Sequence, residues 1–425
     1  MRRSRIHSIT DVAERHLCTG CGGCAFVQPE AISIVDDLDA GRRPVVGTVG
    51  GRELPTVQAM GACPGIGLEH ERFTEDTIPD LREKWGPVLE VWEGYAADPE
   101  IRYAASSGGV ASALAVHALE AADMHGLLHI RARPDAPYLN ETVLSTQRDQ
   151  ILAATGSRYA PASPCDRLDL VAASPRPCVF IGKPCDVAAT WKIRRLRDDL
   201  DAKLGLTVAI FCAGTPTTRG TLEMLDAMGL DPDRLVALRY RGNGWPGEAV
   251  ARVRSDDGTV RTERLTYDES WGGILQRHRQ WRCYVCADHT GEFADVAVGD
   301  PWYQPTDAGD PGRSLILVRT ERGRTMLHAA LRRGDIRAQR VPSHLVATSQ
   351  PGLRNMRGEV GGRVTTLRAF GIPVPKYRGF PQWRIWWRDL SFRDKLRSTV
   401  GTVRRIRRKR LWRRAPVRPW QGPVR

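Results

Sequence analysis

Three cysteines run together as Cys18-Thr19-Gly20-Cys21-Gly22-Gly23-Cys24, and a fourth, Cys63, stands before Pro64. Three thiols at a two-residue spacing, closed by a distant Cys-Pro, form the ligand pattern of a bacterial-ferredoxin-type 4Fe–4S cluster. Two intervening residues let the backbone curl around a cuboidal cluster so that successive sulfurs reach different irons. Gly20, Gly22 and Gly23 are expected to supply the positive φ angles that this curl needs. Zinc also takes four thiolates, but its ribbons and fingers pair two separated CxxC units instead.

A second set of four thiols is scattered. The apolar run Cys178-Val179-Phe180-Ile181 ends at Gly182-Lys183-Pro184-Cys185-Asp186, and Leu206 to Phe211 ends at Cys212-Ala213-Gly214. With a helical segment through Leu196 between them, they read as a right-handed βαβ unit with parallel strands. Cys185 and Cys212 then fall just past the carboxyl ends of neighbouring strands, the edge where open α/β sheets bind ligands. Cys283-Tyr284-Val285-Cys286 adds two more thiols. A CxxC also serves as a redox disulfide or half a zinc site, but a thioredoxin-like motif follows a strand, and this one follows a polar, aromatic segment. Cys165 and Cys178 are left over, Cys178 as a small buried hydrophobe.

Other residues have chemistry of their own. Ser106-Ser107-Gly108-Gly109 opens a helix running through Ala122. Free N–H groups and the positive end of the helix dipole make such a start an anion site, and a serine cap with tight glycine packing accounts for it equally well. Gly156-Ser157-Arg158-Tyr159 reads as a turn. Arg239 to Gly247 and Gly299-Asp300-Pro301-Trp302 are Gly/Pro-rich loops whose Arg, Trp and Asp suit a flat polyanion or simply punctuate strands. His117 reads as a packed core histidine.

The elements that must position these residues fall into three stretches. Residues 1–75 read as a small ferredoxin-like unit, with Ala31 to Val35 and Arg43 to Val46 as a hairpin. Residues 68–86 read as a charged linker with a short helix. Residues 86–340 read as a mixed, partly parallel α/β domain, including a strand from Val88 to Tyr95, a core strand from Arg313 to Thr320 and a helix from Glu321 to Arg333. Residues 341–425 form an extension with a basic, aromatic tail.

The net charge of +14 belongs to that tail. From Lys376 onward 17 Lys/Arg stand against Asp389 and Asp394, a local net of +15 that leaves about −1 for the first 375 residues. Nucleic-acid binding by the body is therefore not expected. Phe392 to Leu411 reads as a basic amphipathic helix suited to an anionic membrane surface or an acidic partner, against the alternative of a solvated tail. Arg2, Arg3 and Arg5 are not followed by an apolar segment, so no secretory signal is expected. The longest apolar-looking stretch, 108–130, carries His117, Glu120, Asp123 and His125 and is not a membrane span. A reducing cytoplasm is the expected compartment, with the tail a candidate for contact with the inner membrane face.

Together these motifs resemble the coenzyme F420 hydrogenase/dehydrogenase beta-subunit family, which includes 7-hydroxymethyl chlorophyll a reductase. The resemblance spans about Cys18 to Trp302. It implies FAD and two 4Fe–4S clusters, held by Cys18, Cys21, Cys24 and Cys63 and by Cys185, Cys212, Cys283 and Cys286. It also implies that Ser107, Gly108 and Gly109 face the FAD phosphates, with Ser157, Tyr159 and Lys183 near the flavin and Ser106 a further cofactor-binding residue. Lys183 stands where the family commonly has Thr. The expected function is an oxidoreductase passing electrons between coenzyme F420 or ferredoxin and a further acceptor. An electron-relay subunit and a zinc-binding protein are the alternatives.

Overall fold

The apolar run at 178–182 is buried on both faces, as a strand inside a parallel sheet must be. The computed structural model describes residues 6–70, 76–303 and 310–422; Arg2, Arg3 and Arg5 lie outside them. Among the described residues eight strands form one sheet: β1 (Glu90–Ala96), β2 (Leu127–Ala132), β3 (Asn140–Ser145), β4 (Cys178–Gly182), β5 (Leu204–Ile210), β6 (Val296–Gly299), β7 (Ser314–Val318) and β8 (Ile336–Arg340). Their spatial order is β8-β1-β7-β6-β5-β4-β2-β3. The central run β6-β5-β4-β2 is parallel, and the flanking pairs are antiparallel. The expected βαβ unit is present, β4 leading through a helix to its parallel neighbour β5.

Alternation along these strands divides the core between two faces. Phe180, Ala209, Ala297, Leu315 and Leu317 pack on one side, with Trp85, Val187 and Ile193. Val179, Val208, Val298, Ile316 and Val318 pack on the other, with Leu114 and Leu327. In β5 Leu204 and Leu206 face opposite sides although two residues apart, and the register with β4 shifts between them. Helices thus cover both faces: α1 (Val110–Ala121) and, later, α3 (Glu321–Arg333) on one, and α2 (Pro184–Arg194) on the other. His117 is buried in α1 with Nδ1 2.6 Å from an Asp335 carboxylate oxygen.

Before the sheet come the hairpin Ile32–Asp37/Gly41–Val46 and three short helices, two of which flank the first cysteines. A three-stranded antiparallel sheet, Leu235–Arg239, Ala249–Arg254 and Val260–Leu265, is set between β5 and β6.

The C-terminal stretch folds back onto the body. Helix α4 (Pro351–Ala369) carries buried Arg357, Glu359 and Arg363. Across it pack α5 (Gln382–Asp389) and α6 (Phe392–Lys409). The approach is close: a Cβ on Gly361 would lie 2.9 Å from the Gln382 carbonyl oxygen, and one on Gly362 would lie 2.6 Å from Ser398 Oγ. Beyond α6 the chain returns to the first unit. Ala415 N–H donates to the Glu14 carbonyl, Arg418 N–H to Asp37 Oδ2 and Trp420 N–H to the Asp36 carbonyl. Arg414 pairs with Asp11 and Glu14, and Val417 packs beside Val12, Leu17 and Cys18. The tail is therefore a strap tied to the first unit, although most of its side chains past Leu411 face solvent.

Candidate functional site

Cys18, Cys21, Cys24 and Cys63 line one small cavity, closed by Ile9, Val12, Ile34 and Pro44. Gly22 takes φ +85°, and a Cβ there would come within 2.9 Å of Ser163 Cβ, so only glycine fits. Gly20 also has positive φ. Gly23 does not: it starts the helix Gly23–Val27 and leaves room for Ile193. The loop aims N–H groups at sulfur. Gly20 N–H donates to Cys18 Sγ at 3.3 Å, and the amides of Gly23, Ala25 and Gly65 serve Cys21, Cys24 and Cys63. Burial pushes the Cys18 and Cys24 thiols up and Cys63 up to about 12. Cys21 goes the other way, lowered chiefly by its hydrogen bond with Cys165. The other three rest as neutral thiols, and a bound cation would favour their thiolates.

Cys185, Cys212, Cys283 and Cys286 line a second cavity, although up to 101 positions separate them in sequence. Cys185 sits in the first turn of α2, Cys212 two residues past β5, and Cys283 in the one-turn helix Trp281–Tyr284. Thr215 N–H donates to Cys283 Sγ at 3.4 Å. Burial raises the Cys185 thiol well above its ordinary value, Cys212 to about 12 and Cys286 to about 11. The polar lining is incompletely satisfied. Arg282 Nε and Nη1 and His289 Nε2 are buried without hydrogen-bond partners, while Arg282 Nη2 donates to the Pro64 carbonyl at 3.3 Å. A guanidinium with two of its three nitrogens unserved, beside the two thiol sets, suits an anionic occupant. Among the described residues no three His, Cys, Asp or Glu are grouped as a single metal ion would require.

The third feature is a cleft with a cavity volume of about 290 Å³ at the carboxyl ends of β2, β4, β5 and β6. Ser106, Ser107, Gly109, Ser157, Tyr159 and Lys183 all line it. Gly108 instead packs on the backbone of Arg313 and Ser314. Ser106 ties the walls together: its Oγ accepts from Ser157 N–H at 2.7 Å and donates to the Arg241 carbonyl at 3.3 Å. Lys183 Nζ lies 2.6 Å from Asp186 Oδ2. Burial works against the Lys183 ammonium, but the Asp186 carboxylate outweighs it and holds it protonated. At the mouth, the buried Arg241 makes a two-pronged pair with Asp300 at 2.9 and 2.6 Å. Trp245 Nε1 donates to the same carboxylate at 2.7 Å, and its ring lies 4.6 Å from that of Trp302.

The three features form one line. Thr19 touches both thiol cavities, and Cys212, Gly214 and Thr215 line both the second cavity and the cleft. Cys165, left over in the sequence, is part of this line. Its N–H donates to the Cys21 carbonyl at 2.9 Å and its Sγ to the Asp186 carbonyl at 3.4 Å. Tyr267 and Trp271, also in the cleft wall, follow the three-stranded sheet and had no signal beyond their aromatic character.

Residues 91–168 match the N-terminal family model of the coenzyme F420 hydrogenase/dehydrogenase beta subunit, and residues 176–344 match its C-terminal family model. The chain belongs to the coenzyme F420 hydrogenase/dehydrogenase beta-subunit family. Within it, the coenzyme F420 hydrogenase subunit beta of Methanosarcina barkeri is 25% identical over 256 residues, 56% of this chain and 77% of that one. The rice (Oryza sativa subsp. japonica) chloroplastic 7-hydroxymethyl chlorophyll a reductase is 25% identical over 52% of this chain but 45% of its own length. A chain in the solved F420-reducing nickel–iron hydrogenase complex of Methanosarcina barkeri shares the fold, with a TM-score of 0.53, 22% identity and coverage of 69% of this chain and 97% of that one. The family is one of redox subunits, and its matched region takes in the cleft and the second thiol cavity. The first cysteines and the C-terminal helices lie outside the matched residues.

Proposed function

We propose that this chain is an iron–sulfur flavoprotein oxidoreductase that exchanges electrons between coenzyme F420 or ferredoxin and a further acceptor. Cys18, Cys21, Cys24 and Cys63 would hold one 4Fe–4S cluster, Cys185, Cys212, Cys283 and Cys286 a second, and the cleft FAD. Bound there, FAD would supply the conversion between two-electron hydride chemistry and one-electron transfer. The observation that carries this reading is the unbroken sequence of two thiol-lined cavities and a cleft. Four thiols around one cavity, served by backbone N–H groups and not grouped as a single ion requires, suit a multi-iron cluster better than one zinc held at about 2.3 Å. Ser106, Ser107, Gly109 and the start of α1 offer the cleft its anion-binding end. Lys183 places a positive charge between the cleft and the second thiols. Arg241, Trp245 and Trp302 frame the mouth, where a second flat ring would meet the flavin. All ten cysteines are free of disulfides, in keeping with a reducing, cytoplasmic setting.

A second reading has support in the relatives, which include a hydrogenase subunit: the chain relays electrons inside a larger complex. One experiment addresses both. Purified without oxygen, the chain is expected to be brown, with about eight irons and one flavin, and reduced coenzyme F420 alone should bleach the flavin. Bleaching only with a partner subunit present would favour the relay. A colourless, zinc-loaded protein would overturn the proposal.

A further inference from the structure

Helix α6 is turned the wrong way for an ordinary amphipathic helix. The side it buries against α4 carries Ser398, Thr402 and Ile406. Phe392, Leu396 and Val400, spaced four apart on one side, point outward, and Phe392 is 76% exposed. Trp387 of α5 is 70% exposed. Lys395 lies over the Trp386 and Trp387 rings and donates to the Trp387 carbonyl at 2.7 Å, which sets those rings beside the first turn of α6. Intramolecular packing leaves much of these apolar groups uncovered, with Leu396 and Val400 about half exposed.

The charges around them have one sign. Arg393, Arg404, Arg407 and Arg408 are exposed and have no carboxylate partner among the described residues. The only acid of α6, Asp394, is engaged by Arg397 at 3.1 Å. We propose that the outward face of α5 and α6 docks on an anionic phospholipid surface. Tryptophan and phenylalanine beside unpaired arginines are the composition of a helix lying in the headgroup plane. The apolar groups project outward, where a protein partner would need an acidic rim around a matching groove. Lipid headgroups supply anionic charge without that shape requirement. No described helix is long and apolar enough to cross a membrane, so the contact would be peripheral.

Flotation of the full chain with vesicles of equal phosphatidylglycerol and phosphatidylcholine, against phosphatidylcholine alone, tests this. Co-flotation with the mixed vesicles at about 0.15 M salt is expected, with a blue shift in tryptophan emission. Replacing Arg393, Arg404, Arg407 and Arg408 by Ser should weaken partitioning about fivefold for each charge. The Trp387→Ala/Phe392→Ala/Leu396→Ala variant should lose the binding that survives higher salt. Both sets alter exposed side chains, and unchanged thermal melts establish that they fold. No partition into mixed vesicles, equal partition into neutral ones, or apolar and arginine variants that bind as the parent does would each overturn the proposal. So would capture of this face by an acidic protein when vesicles are not bound.

Discussion

Replacing Arg357 by Met tests whether the loop behind the second thiol cavity is held by a buried charge network. Glu292 lies six residues past Cys286 and is fully buried, with Arg357 on Oε1 and His70 Nε2 2.7 Å from Oε2. Burial alone would push its carboxyl up, but Arg357 and His70 outweigh it and hold the group down to about 2. Against its ordinary value of 4.5, that corresponds to about 3 kcal/mol of stability. The contribution is complete above pH 4.5 and fades as pH falls toward 2. Removing one partner of a buried pair costs about 3–5 kcal/mol, because the other charge is stranded. In Arg357→Met the buried carboxyl should rise, so the loss should be greatest near pH 7.5 and shrink toward pH 5 as Glu292 takes a proton. Adding Glu292→Gln should recover part of it at neutral pH. Urea unfolding followed by tryptophan fluorescence at both pH values measures this. A loss below about 1 kcal/mol, or one that does not change with pH, would refute the reasoning.

Two further expectations concern the cleft and the C-terminal packing. Ser106→Ala removes the hydroxyl that joins the Ser157 and Arg241 loops, and should weaken FAD binding by about tenfold; titrating the chain with FAD by fluorescence checks it, and an unchanged affinity would count against this bridge. Gly362→Val puts a side chain where a Cβ already lies 2.5 Å from Trp386 Nε1, and should cost about 1–3 kcal/mol, seen as a lower melting temperature.

The parts of the fold that could be read in advance are those where burial is written as apolar runs. The strands at 178–182 and 204–210 and the helix 321–333 lie close to where their patterns place them. Convergence of Cys185 with Cys212 followed from strand direction, because a parallel edge gathers residues distant in sequence; that Cys283 and Cys286 join them did not, because Cys283 sits in a one-turn helix away from any strand end. The helix α4 was not legible for a physical reason. It buries arginines paired with glutamates, and its contact stripe is Gly358, Gly361 and Gly362, so it carries little hydrophobic periodicity. Cys165 was hidden because its importance is purely spatial: no spacing in the sequence relates it to Cys21. Gly108 takes the second of the two roles its pattern allowed. A glycine in an anion-binding pattern had a packing role, against the backbone of Arg313.

The strap at 412–422 bears on the order in which the molecule is completed. The Arg414–Asp11 pair closes a loop of 403 residues, and closure over such a distance costs entropy that few local contacts repay. The strap therefore docks after the body has formed. Until then Val417 is not in place on the cluster of Val12, Leu17 and Cys18, and that side of the first unit lacks its last cover. A chain built this way leaves that side of its first unit open while the body is being synthesised, and covers it with residues translated long after its first cysteines.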